Sequence, residues 1–246
     1  MTKPMNDDEK VVSLSGAPIF RYTDGENEWE APHGEECIEE ISDHIEQHIG
    51  EIDMVFHELV SDTVHIDVHH VKPTEDRPFH TLITSGMSDL PMTTPEEYDA
   101  NPYMELMITL PADWQISDEA FRDEQWYWPI RQLKFLARFP HKFNTWFGWG
   151  HTIPNGNPAE PFADNTRFMG VVLAPPIGVP DEFIELTINE DKEIHFFSLV
   201  PLYEEEMSLK LREGSDELFD RFDQHGINEV VNLKRRNMAK KWFGLF

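Results

Sequence analysis

Four histidines fall in the stretch HIDVHHVKPTEDRPFHTLITSG, which begins at His65 and places carboxylates among them. On an extended strand alternate side chains share a face. His65, Asp67 and His69 then form one row, and Val64, Ile66, Val68 and His70 the other. A His-x-Asp-x-His row offers three nitrogen and oxygen ligands, the donor set of a catalytic zinc or non-haem iron. The simpler reading is the outer face of a half-buried strand whose Ile66 side turns to the core. The two alternatives are a metal-dependent hydrolase using His65, Asp67 and His69, and a strand with a histidine-rich side facing solvent or a partner.

No other catalytic pattern is present. The chain contains no GxSxG elbow, P-loop, GxGxxG or HExxH. Ser85 and Ser88 flank Gly86, but no base is assigned to either. Cys37 is the single cysteine, and Ile38 and Ile41 beside it mark a small core residue rather than a nucleophile. One cysteine allows no internal disulfide, which fits a reducing compartment. Carboxylates are so numerous that no pair stands out as acid and base.

The 246 residues carry a formal net charge of −27, from 47 acidic and 20 basic side chains. Such a surface repels a phosphate backbone, so nucleic acid is not the expected partner. It attracts a protein with a basic surface and speeds that encounter; it also keeps the chain soluble. MTKPMNDDEK lacks the apolar stretch of a signal peptide. The longest weakly polar run, MGVVLAPPIGV, is too short to span a bilayer. The expectations are a cytoplasmic chain, no membrane and no cofactor.

The elements that must position these residues follow from periodicity. Residues 1–33 form an acidic lead-in, read as extended or partly disordered. In EECIEEISDHIEQHIG, Ile38, Ile41, Ile45 and Ile49 recur at helical spacing and Gly50 stops the run. Strand-like runs start at Asp53, Thr63, Phe79 and Tyr103. A helix follows on both sides of Pro129, which either kinks it or opens its second segment. The loop FGWGHTIPNGNPAEPFADNT precedes further strands from Arg167, Glu182 and Glu193. Helices from Tyr203 and Ser215, the latter with Ser215 as N-cap, and one over INEVVNLKRRNMAKKW close the chain. This order predicts an α+β fold, a mixed β-sheet flanked by helices in a single domain. The domain spans residues 34–238, with 239–246 as a tail that docks on the chain's own acidic surface or frays.

Several segments in order resemble the suppressor of fused domain family. Ile66-Asp67-Val68, Pro73, Arg77-Pro78, Thr81-Leu82, Thr84 and Gly86-Met87-Ser88 match its signature region. ELMITLPADW from Glu105, WGHTIPNG from Trp149, FFSLVPLYEEEM from Phe196 and Arg235-Arg236-Asn237 follow in family order. The resemblance implies a mixed sheet with flanking helices and a binding rather than catalytic role. Animal members grip a transcription-factor peptide between two domains; that role does not carry over to a one-domain chain. Bacterial members are often regarded as immunity proteins that neutralise toxins. The histidines are not part of the match, which favours the strand alternative over the metal. Asp67, Arg77, Gly86, Met87 and Ser88 are candidate partner-binding residues. So are Trp149, His151, Asn155 and Gly156, where an aromatic and a hydrogen-bonding ring precede an Asn-Gly turn. The rival to both enzyme and immunity protein is a scaffold or regulatory chain with no toxin link.

Overall fold

The structure, a computed structural model, describes residues 11–22, 34, 36–57, 64–98 and 100–240. Eight strands are present among them: β1 (Ile52–Phe56), β2 (Asp67–Val71), β3 (Phe79–Ser85), β4 (Met104–Pro111), β5 (Thr152–Pro154), β6 (Phe168–Ala174), β7 (Glu185–Asn189) and β8 (Lys192–Tyr203). Four α-helices accompany them: α1 (Ile38–His48), α2 (Glu124–Phe143), α3 (Glu204–Glu213) and α4 (Ser215–Gln224). All strands join one mixed sheet in the order β1-β2-β3-β4-β8-β6-β5, with β7 also paired to β8. Only β4 and β8 run parallel, and the other pairs are antiparallel. This is the α+β architecture, a mixed sheet flanked by helices, that the element order predicts.

The sheet is covered on both faces. Ile41 and Ile45 of α1 pack with Val71, Ile83, Met107, Ile194 and Phe196. Leu133, Leu136 and Ala137 of α2 pack with Val68, Leu82, Leu106 and Ile108. Alternation along each strand places these two sets on opposite sides. Beyond α1, Leu209 of α3 and Leu218 and Phe222 of α4 close over Val172, Val200 and Leu202. Val200 and Leu202 keep step with Ile194 and Phe196, so α1, α3 and α4 share a face and α2 holds the other.

One open alternative is decided and two sequence expectations are corrected. Pro129 does not open a segment: α2 begins at Glu124, where the Asp123 carboxylate accepts the Gln125 N–H at 3.0 Å, and continues past Pro129 and Pro140. Ser215 is not a cap but the first residue of α4, after Gly214. The helix expected over residues 227–242 is absent from its described part. There Val231 N–H donates to the Thr109 carbonyl at 2.8 Å, and Asn232 Oδ1 accepts the Lys234 N–H at 2.9 Å. Tertiary contacts to β4 and α3 hold this stretch in turns despite its helical periodicity.

Part of the lead-in packs on the body. Ser15 N–H donates to the Leu211 carbonyl at 3.1 Å, and Tyr22 Oη meets Thr145 Oγ1 at 2.5 Å. Residues 1–10 and 23–33 of the lead-in, and 241–246 of the tail, lie outside the described residues. The tail up to Lys240 rests on the acidic start of α3, where Lys240 Nζ lies 3.1 Å from Glu205 and Asn237 donates to Glu205 at 2.7 Å.

Candidate functional site

The signature stretch folds around one buried carboxylate. Glu105, on β4, accepts from Ser88 N–H (2.9 Å), Ser88 Oγ (2.7 Å) and Thr84 Oγ1 (2.5 Å). Burial pushes its pKa up to about 7 against these three donors, which favour the charged form. The turn they hold, Gly86-Met87-Ser88, follows β3. His141 of α2 contacts the Met87 carbonyl at 2.8 Å. Gly86 has φ +102°, and a Cβ there would sit 1.9 Å from the His65 carbonyl oxygen. Only glycine accepts both the positive φ and that approach. Met87 and Ser88 are fully buried. The motif therefore builds the scaffold, and their side chains present nothing to a partner in this conformation.

The histidine stretch divides differently from the alternating row. His65 precedes β2, and its Nε2 lies 3.1 Å from Asp67 Oδ1. Asp67 opens β2, paired with Ser85. Its other oxygen lies 2.9 Å from Nδ1 of His57, which follows β1. His69 does not join them: its ring is buried and its Nε2 meets Ser85 Oγ at 2.9 Å. His70 is buried on the other face, with its Nε2 at 2.8 Å from His80 Nδ1. The expected histidine-rich side facing solvent or a partner is thus corrected for His69 and His70, while His65 stays exposed. Helices cover both faces of β2, so alternation has no wet side there. Burial pushes His69 and His70 down to about 4. Of the three ligands read as a row, only His65 and Asp67 come together, and the third neighbour is His57. That residue was missed because it lies across the β1–β2 pairing, where Phe56 faces Val68; sequence spacing carries no signal of it.

Arg77 lies on the opposite rim of the sheet. Its guanidinium donates to the Gly178 carbonyl and stands 4.9 Å from the centre of the Phe79 ring. The loop that starts near Trp149 forms a separate locus. Asn155 takes a hydrogen bond from Gln132 Nε2 at 3.2 Å and donates to the Glu160 and Pro161 carbonyls. Gly156 turns the chain at φ +95°. His151 packs its ring 4.5 Å from Trp146, and burial with nearby Lys210 pushes its pKa down to about 4. Trp149 is the exposed member, with 51% of its surface open. It stacks on Phe219 of α4 at 5.6 Å. Asp216 and Asp223 lie one turn to either side of Phe219, both exposed. Phe219 could not be singled out in the sequence, because it reads there as one more apolar residue of an amphipathic helix.

An open concavity of about 620 Å³ lies between Asn101, Tyr103, Thr187, Asn189 and His195. Among the described residues, no helix is long and apolar enough to cross a membrane.

The domain so described, a two-faced mixed sheet whose buried glutamate holds a Gly-Met-Ser turn, has known relatives. The family model of the suppressor of fused protein matches residues 62–236, and the chain belongs to that family. The crystal structure of a protein named as a suppressor of fused homologue, from Neisseria gonorrhoeae FA 1090, superposes with a TM-score of 0.61 at 18% identity. That match covers 83% of this chain and 97% of the other. The crystal structure of the Sufu–Fu complex contains a chain matched with a TM-score of 0.58 at 14% identity, covering 83% and 93%. At these identities the likeness is one of fold. No curated protein matches the chain.

Proposed function

We propose that this chain is a non-catalytic binding domain that sequesters a protein with a basic surface, and that it acts as an immunity protein on a toxin. The observation that carries the reading is the exposed Trp149, stacked on half-buried Phe219 between Asp216 and Asp223. Aromatic anchors ringed by polar groups dominate the energy of protein interfaces. A net charge of −27 steers a basic partner toward such an anchor. The presence of a matched chain in the Sufu–Fu complex supports a protein partner. Against the hydrolase alternative, His69 is held by Ser85 and faces away from solvent. A scaffold or regulatory role without a toxin shares the same anchor. Whether the captured partner is a toxin whose activity the chain suppresses separates the two. The test is capture from the native cell with wild-type and Trp149→Ala baits, followed by assay of the partner's toxicity with and without the chain. One stoichiometric partner, lost with Trp149→Ala and made harmless by wild type, is the expected result. A partner held equally by both baits rejects the anchor, and undiminished toxicity rejects the immunity role.

A further inference from the structure

We propose that His57, His65 and Asp67 form a binding site for a zinc-like divalent cation that clamps the β1–β2 connection. One donor atom from each residue lies within 4.8 Å of the others. His57 Nδ1 and His65 Nε2 lie 2.9 and 3.1 Å from the two Asp67 oxygens. Ligands at about 2.0–2.1 Å around a tetrahedral zinc stand roughly 3.3 Å apart. The two gaps to the carboxylate are within a few tenths of an ångström of that spacing, and the two exposed imidazoles, within 4.8 Å of each other, close on the ion by side-chain rotation. Two imidazoles and a carboxylate suit zinc and its borderline neighbours better than calcium or magnesium, which prefer oxygen alone.

The three donors are held from different directions. Asp67 is fixed by the ladder of β2 opposite Ser85, and its side chain is only 4% exposed. The His65 backbone rests on Gly86, where no side chain can intrude. His57 is carried by the end of β1, which pairs with β2 through Phe56 and Val68. The carboxylate is thus the buried floor, and the two imidazoles, 63% and 52% exposed, are movable walls. Three protein ligands leave a fourth position open to water. A second histidine–carboxylate group differs in this respect. Glu185, Glu193 and His195 are side chains on one outer surface of paired strands, with gaps of 2.9 and 3.9 Å and no buried member.

Binding at this site joins the two ends of the β1–β2 connection, so the ion stabilises the native chain in proportion to its free concentration. The site is independent of the partner anchor at Trp149.

The test uses the full chain, freed of metal with a chelator. Zinc is titrated calorimetrically, and cobalt(II) reports coordination number through its visible absorption. Wild type is expected to bind one zinc, to melt at a higher temperature with it, and to show the intense d–d bands of a four-coordinate cobalt site. His57→Ala and His65→Ala, both at exposed side chains, each weaken zinc about tenfold or more, in line with the loss of one ligand of three. His195→Ala leaves the affinity unchanged. The proposal is overturned if zinc does not saturate, if His57→Ala and His65→Ala bind it as wild type does, or if only His195→Ala loses it. Asp67→Asn adds the floor residue, but the histidine variants decide the matter even if it fails to fold.

Discussion

The guanidinium of Arg235 closes on the carboxylate of Glu206 in a two-pronged ion pair, each N···O distance 2.6 Å. Glu206 is wholly buried, and the Arg235 side chain is 7% exposed. The guanidinium lies about 5 Å from the centres of the Phe168, Tyr203 and Phe222 rings. Glu206 also accepts the Tyr203 N–H at 3.0 Å and the Met238 N–H at 2.8 Å. One carboxylate thus joins the end of β8, the start of α3 and the chain's closing segment. Removing one member of a buried pair strands the other's charge. Arg235→Ala is expected to cost about 3–5 kcal/mol in urea unfolding. Arg235→Lys recovers only part of that, because an ammonium cannot make the paired contact.

Gly86→Ala places a methyl 1.9 Å from the His65 carbonyl at a positive φ. Gly86 directly follows Ser85 and His65 lies two residues before Asp67, so a shift of either backbone disturbs the Asp67–Ser85 pair. A loss of roughly 3 kcal/mol or more is expected, in the range reserved for backbone strain and overpacking together. The urea midpoint measures it. A change under about 0.5 kcal/mol, typical of an open surface site, would show that the turn yields.

The buried histidines set the acid limit of stability. His69, His70 and His151 are pushed down to about 4 from an ordinary 6.5, by burial first. Their folded pKa values lie below the unfolded ones, so the unfolded chain takes up protons first as pH falls. The stability they contribute is present above 6.5 and is lost as pH falls through 4. Unfolding free energy is expected to fall across that window, and His151→Gln to make the fall shallower. An identical slope in that variant would place His151 in solvent.

Glu105 has the opposite sign. Its pKa is raised by burial from 4.5 to about 7, so the folded chain holds the proton more tightly. Its contribution is full below 4.5 and is lost as pH rises through 7. Glu105→Gln, which carries no charge at any pH, is expected to gain on wild type by on the order of 3 kcal/mol across the window. Paired unfolding curves at pH 4.5 and 8 are the check; a constant difference would mean that Glu105 stays charged at neutral pH.

How much of this was legible in the sequence depended on whether a pattern reported local or distant contacts. The α1 isoleucines and the strands around Phe79 and Tyr103 follow their own periodicity, because burial on a single element decides them. β2 misled, since helices α1 and α2 cover both of its faces and a histidine can be buried on either. The stretch after Ile227 misled for another reason: its helical spacing lost to the pull of Glu206 on Arg235, a contact 29 residues apart. The meeting of His57 with Asp67 and of Trp149 with Phe219 depends on strand register and helix placement, which spacing does not encode.

The central claim is that an exposed aromatic in an acidic frame anchors a basic partner, and paired capture with wild-type and Trp149→Ala baits at low and high salt tests it most directly. Trp149 is half exposed, so its removal is expected to leave folding within about 1 kcal/mol of wild type. Loss of a central aromatic anchor costs binding about 2 kcal/mol or more. One basic protein held by wild type, weakened by salt as screening shortens the reach of charge and lost by the folded variant, is the predicted result. No partner retained by wild type, or one retained equally by both baits at both salt levels, would contradict it.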